Sequence, residues 1–151
     1  MIAYTLSFAR MTTRIVIDTN IFISAIIGSN GPNRNVIRRC FENIYQPLMG
    51  NALFCEYEEV KTRPNVVERC SLSKREIATL LNSFMSISEW VSIFYLWRPN
   101  LSDEHDNHII ELAVAGGAEY IVTSNTKDFK KGELLFPDIN IVTPAQLLRQ
   151  N

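Results

Sequence analysis

The sequence is most informative at first through what it has little of. Cysteine is scarce: Cys40, Cys55 and Cys70 are its three, an odd number with no Cys-x-x-Cys pair. That pattern suggests neither a disulfide framework nor a zinc site. It fits buried or idle thiols in a reducing cytosol, so a cytoplasmic location is expected. Long hydrophobic runs are missing, and no apolar stretch approaches the roughly 20 residues that a membrane span requires. The net charge is only −1, which gives no global basic field for nucleic acid. A local basic face is still compatible with it, because clustered carboxylates mask one in the sum. Internal repeats and low-complexity tracts are absent. Near the start, Ile2 to Ala9 is mildly apolar, but no positive residue precedes it, as a secretory signal would need. Residues 1–13 read as an N-terminal extension, with Met11 as the natural first residue, adding an edge strand or packing on the surface. Residues 14–151 read as a single domain.

What is present points to a globular protein. Of the 151 residues, 46% are hydrophobic and 21% charged, enough for one sizeable core. Ile15-Val16-Ile17 runs straight into Asp18. A short β-branched run bounded by polar residues suits a strand covered on both faces. Ile21, Phe22, Ala25 and Ile26 recur at helical spacing over 19–27, and a turn cluster follows at 28–33. A second helix is expected over 34–43 and a weak strand at 47–49. Asn51 is placed as the cap of a helix over 52–62 that stops before Pro64. Ser73 with Glu76 makes a capping-box signature for a helix to about Ser88, and 91–96 reads as a strand. Ser102 or Asp103 caps a helix that ends at Gly116-Gly117. Tyr120 to Thr123 and Asn140 to Val142 are strands, and Thr143-Pro144 opens a short last helix. Strands alternating with helices predict an α/β domain with a largely parallel sheet.

Three acids stand out in that frame. Asp18 lies at the carboxyl end of a strand, where open α/β sheets bind their ligands. Glu56 shares a helix side with Leu53, Tyr57 and Val60. Asp106 lies in a helix's first turn, three residues from Asp103. Each has a plain alternative: Asp18 as a helix cap, Glu56 reaching water from the stripe margin, and Asp106 answering the helix dipole. Together they offer hard oxygen ligands suited to Mg²⁺ or Mn²⁺. Clustered carboxylates raise one another's pKa, so a divalent cation would stabilise them. A metal so held activates water for attack on a phosphodiester. His105 and His108 have a spacing that permits a transition metal, but the oxygen-rich set favours harder ions.

Ile15-Val16-Ile17-Asp18-Thr19-Asn20-Ile21, Leu53 through Pro64, Asp103-Glu104-His105-Asp106-Asn107 and Gly117 through Thr123 resemble, in that order, the motifs of the PIN domain. This is the metal-dependent ribonuclease fold common in bacterial toxin–antitoxin pairs. The resemblance covers about residues 14–149. It implies a three-layer α/β/α sandwich with Asp18, Glu56 and Asp106 as catalytic, metal-holding acids. Asn20, Asp103, Thr123 and Asp128 would support them. The family's usual fourth acid falls on Asn125, which can ligate or orient a water but brings no charge; Asp128 is the nearest substitute.

The expected activity is a Mg²⁺- or Mn²⁺-dependent endoribonuclease, the toxin of a toxin–antitoxin pair, with a small antitoxin and a homodimer implied. Arg34, Arg38, Lys127 and Lys130 are the leading RNA-phosphate contacts, followed by Arg39, Lys61, Arg63 and Lys131. The alternative is a PIN-like module that binds RNA or protein without efficient turnover, motivated by Asn125.

Overall fold

The computed structural model describes residues 12–28, 31–93, 104–129 and 136–150. Its centre is a five-stranded, all-parallel sheet built from β1 (Thr13–Ile17), β2 (Tyr45–Met49), β3 (Glu89–Trp90), β4 (Tyr120–Val122) and β5 (Asn140–Val142). The order is β3-β2-β1-β4-β5. β1 pairs with β2 from Thr13–Tyr45 to Ile15–Pro47, and with β4 from Ile15–Tyr120 to Ile17–Val122. The apolar run of β1 therefore occupies the middle of the sheet, and Ile15, Val16 and Ile17 are buried.

Seven α-helices accompany the sheet among the described residues: α1 (Thr19–Ile27), α2 (Pro32–Phe41), α3 (Asn51–Val60), α4 (Pro64–Arg69), α5 (Lys74–Ile87), α6 (Glu104–Gly116) and α7 (Pro144–Arg149). The connections run outward from β1 in two opposite directions. Right-handed crossovers then put the helices after β1 and β2 on one face and α6 on the other. The fold is the expected α/β sandwich. On the face of α1 and α2, Phe22, Tyr57 and Phe84 form a buried aromatic cluster with ring centroids 5.3–5.7 Å apart.

Several boundaries differ from expectation, each for a local reason. α2 begins at Pro32, not at 34, with proline in the first turn where its missing N–H costs nothing. β2 begins at Tyr45, because Tyr45 and Gln46 pair with Thr13 and Arg14 ahead of Pro47. Gly50, not Asn51, is the cap of α3, and Asn51 is already helical. Pro64 stops one helix and opens another, α4. β3 lies at Glu89–Trp90, just before the expected 91–96, of which 94–96 lie outside the described residues. Strand β1 starts at Thr13, one residue inside the expected extension. The reading of residues 1–11, and the Ser102 or Asp103 cap, lie outside the described residues.

At the amino end of the sheet, Arg14 acts as a clamp. Its Nη1 and Nη2 donate to the two carboxylate oxygens of Glu89 at 2.9 and 2.6 Å, and its Nε and Nη2 donate to the Gly116 carbonyl at 2.9 and 2.7 Å. One guanidinium thus ties β1, β3 and the last turn of α6. Bidentate pairing matches the fork geometry of arginine.

Candidate active site

Asp18 continues β1 by one residue: its N–H donates to the Val122 carbonyl at 3.0 Å. It occupies the cap position of α1, yet its side chain makes no capping bond there. The carboxylate turns inward instead and is 3% exposed. Its Oδ2 accepts from the Thr123 hydroxyl at 2.9 Å, across the top of β1 and β4. That hydroxyl in turn accepts from the Asn125 N–H at 3.1 Å. Having given its proton to Asp18, the oxygen keeps its lone pairs for Asn125. The Thr123 N–H is held by the Val142 carbonyl at 2.9 Å, so three strands fix the rotamer of Asp18.

Glu56 approaches from α3. It is half-buried, and its Oε2 accepts from the Thr19 hydroxyl at 3.4 Å. Thr19 is the residue after Asp18, so the two acids flank one turn of backbone. The neighbouring Tyr57 is fully buried, and its phenol donates to the Ile17 carbonyl at 2.8 Å. Burial, and then the charges of Asp18, Cys40 and Glu56, push that phenol well above the ordinary tyrosine value. It therefore remains a proton donor at neutral pH. Burial also pushes the Cys40 thiol up to about 12, which makes it inert.

Asp106 lies in the first turn of α6 and is buried, as is Asn107. α6 packs on β1, β2, β4 and α3, the elements around the other two acids. Asp18 and Glu56 each accept from a threonine hydroxyl, Thr123 for the first and Thr19 for the second. Among the described residues, no three His, Cys, Asp or Glu side chains are grouped closely enough to hold a metal ion. The donor chemistry of the set, carboxylates beside hydroxyls, suits a hard divalent cation.

The supporting residues divide. Thr123 is central. Asn20, Asn125, Lys127 and Asp128 are exposed at the same end of the sheet, the last two in a 3-10 turn at Thr126–Phe129. Arg34 donates to the carbonyls of Ala25, at 3.1 Å, and Gly28, which makes it the C-terminal cap of α1. Arg38 donates to Asn35 at 3.2 Å, Lys61 pairs with Glu58 and Arg63 with Glu59. Asp103, Lys130, Lys131 and the side chain of His105 lie outside the described residues. A cavity of about 290 Å³ opens beside the first turn of α3 and the middle of α6, lined by Asn51, Val91, His108 and Glu111 among others. Glu111 is buried there, 4.0 Å from His108 Nδ1.

Thr19, Tyr57 and Glu111 do not stand out as functional residues in the sequence, where Tyr57 reads only as part of a helix's apolar side. Adjacency to Asp18 and Glu56 was the available signal for the first two. Glu111 lies four residues after Asn107 and so shares its helix face.

The sequence profile of the PIN domain family matches residues 14–127, a stretch that includes Asp18, Glu56 and Asp106. A comparison with curated proteins finds no match.

Proposed function

Because the chain belongs to the PIN domain family, a nuclease-type fold, we propose that it is a Mg²⁺- or Mn²⁺-dependent endoribonuclease. The observation that carries this reading is Asp18: a buried carboxylate at the carboxyl end of the central strand, gripped by Thr123 and backed by Glu56 across Thr19. Such a carboxylate is costly to bury for stability alone.

Asp18, Glu56 and Asp106 would hold the cation only by closing up on it, since among the described residues no three such side chains are grouped tightly enough to hold an ion as they stand. When bound, the metal lowers the pKa of a water and offsets charge on the leaving oxygen. Thr123 keeps Asp18 in one rotamer, much as outer hydrogen bonds orient metal ligands elsewhere. The Thr19 hydroxyl donates to Glu56 and helps to orient it. Asn125 offers a neutral amide at the rim, suited to orienting a water or a phosphate oxygen. Arg38 and Lys127, exposed at the surface, are the cations for sequence-independent phosphate contact. On this reading the protein works in the cytoplasm as the toxin of a toxin–antitoxin pair. A small antitoxin restrains it, and it forms a homodimer.

The test is a cleavage assay on folded, antitoxin-free protein with mixed structured and unstructured RNAs, in Mg²⁺, Mn²⁺ or chelator. Cutting that needs the metal and disappears in Asp18→Ala, prepared identically, is the expected result. RNA retention without cutting would instead favour a binding module in which Asn125 has cost the site its turnover.

A further inference from the structure

We infer that Tyr57 is a positioning residue of this site, whose phenol pins the carbonyl just before Asp18 and thereby sets the spacing between Asp18 and Glu56. The inference rests on the nuclease reading above for its effect on rate, but its geometry stands independently.

Two consecutive residues of α3, Glu56 and Tyr57, reach two residues that bracket Asp18. Tyr57 Oη donates to the Ile17 carbonyl at 2.8 Å in the interior, and Thr19 Oγ1 donates to Glu56 Oε2 at 3.4 Å in a half-buried position. Asp18 sits between these two tethers. They differ in strength, since 3.4 Å is long for a hydroxyl–carboxylate bond and 2.8 Å is near the optimum. The phenol is therefore the firm point and the Thr19 contact the yielding one.

The Ile17 carbonyl has a particular need for this donor. The paired register of β1 with β2 ends at Ile15–Pro47, two residues earlier. A buried carbonyl beyond the last rung must find a donor elsewhere, and Tyr57 supplies it. The ring has little freedom to move away. Phe22 meets it edge-on at 5.5 Å and 79°, and Phe84 lies 5.7 Å away. α3 can therefore slide along the end of β1 only by breaking a buried hydrogen bond and an aromatic cluster together. Phenylalanine would preserve the cluster but lose the fixed point, so the hydroxyl is the part that serves the site.

The experiment compares wild type, Tyr57→Phe and Thr143→Ala. The last removes a capping hydroxyl from α7, far in function from the site, and controls for a general loss of stability. Three quantities are read: kcat against KM on RNA, the Mn²⁺ concentration giving half-maximal proton relaxation enhancement, and hydrogen exchange at the Asp18 amide. In Tyr57→Phe, kcat should fall about ten- to a hundredfold with KM unchanged, more Mn²⁺ should be needed, and the Asp18 amide should exchange faster. Thr143→Ala should leave all three in place. Wild-type values in Tyr57→Phe, or equal changes in Thr143→Ala, would overturn the inference. If the wild type cuts no RNA, the nuclease reading fails and exchange alone decides. Faster exchange at Asp18 in Tyr57→Phe then upholds the tether, and unchanged exchange removes it.

Discussion

The two ends of the parallel sheet handle carboxylates in opposite ways. At the amino end, Glu89 is half-exposed and meets the guanidinium of Arg14 in a bidentate pair. At the carboxyl end, Asp18 is sealed in the interior and accepts from the Thr123 hydroxyl. The first arrangement ties β1 to β3 and α6, and charge meets charge where water already screens both. The second places a carboxylate where screening is weak and gives it a neutral hydroxyl, an arrangement that contributes little to stability and, on the proposed reading, serves to attract a cation. One end is a fastener; the other, on that reading, is a receptor.

Three substitutions probe that contrast. The largest effect is expected from Thr123→Val, which keeps the shape of the side chain and removes the hydroxyl from Asp18. Loss of a supporting hydrogen bond to a metal ligand typically weakens metal binding or activity about 10- to 100-fold. Mn²⁺ titration by calorimetry checks this, and wild-type affinity would show that Asp18 needs no such support. Next comes Gly116→Ala at the fastener end. A Cβ there would lie 2.6 Å from Leu48 Cδ1 and 3.0 Å from Val91 Cγ2, and Leu48 is fully buried. Overpacking of this kind costs about 1–3 kcal/mol, offset by up to about 1 kcal/mol of better helix propensity. Urea unfolding should report a net loss while Mn²⁺ affinity is unchanged.

The smallest effect is expected from Glu89→Gln. The hydrogen bond from Arg14, helped by its charge, holds the Glu89 carboxyl below its usual value against the opposing effect of burial. A depressed folded pKa stabilises the fold above the unfolded pKa, about 4.3 for glutamate. That contribution is lost as pH falls through the lower folded value. Because the pair is largely exposed, it is worth under about 1 kcal/mol. The stability gap between wild type and variant should be flat at neutral pH and close below about pH 4. A gap that persists in acid would mean that packing, not charge, is what Glu89 contributes.

Much of the fold was legible because its signals are local. The β-branched run of β1, the Ser73–Glu76 capping box and the Thr143-Pro144 helix start each depend on neighbours within four residues, and each is present. Pro64 misled because the same residue that forbids one helix's continuation is also the best opener of the next. The acids were legible as a pattern, since strand end, helix side and first turn are readable positions. Of their partners, Thr123 was legible only through the family resemblance, since nothing near Asp18 announces it. Nothing announces that Tyr57 answers a carbonyl left over by the β1–β2 register. Arg34 read as an RNA contact because positive charge on a helix looks alike whether it faces phosphate or, as here, two carbonyls of the preceding helix.

The central position of β1 also governs when the site comes into being. Asp18 and Thr123 are separated by 105 positions, and β1 cannot complete its pairing until β4 exists. At synthesis rates of about 5–20 residues per second, the aspartate waits some 5–20 s for its hydroxyl. Through that interval the early strand pairs with β2 alone, and long-range parallel pairing is slow even once the chain permits it. Unfinished chains therefore carry the first acid without the group that aims it. On the proposed reading, a nuclease assembled in this order would be silent on the ribosome that makes it, surrounded though it is by RNA, and would become competent only as a finished molecule.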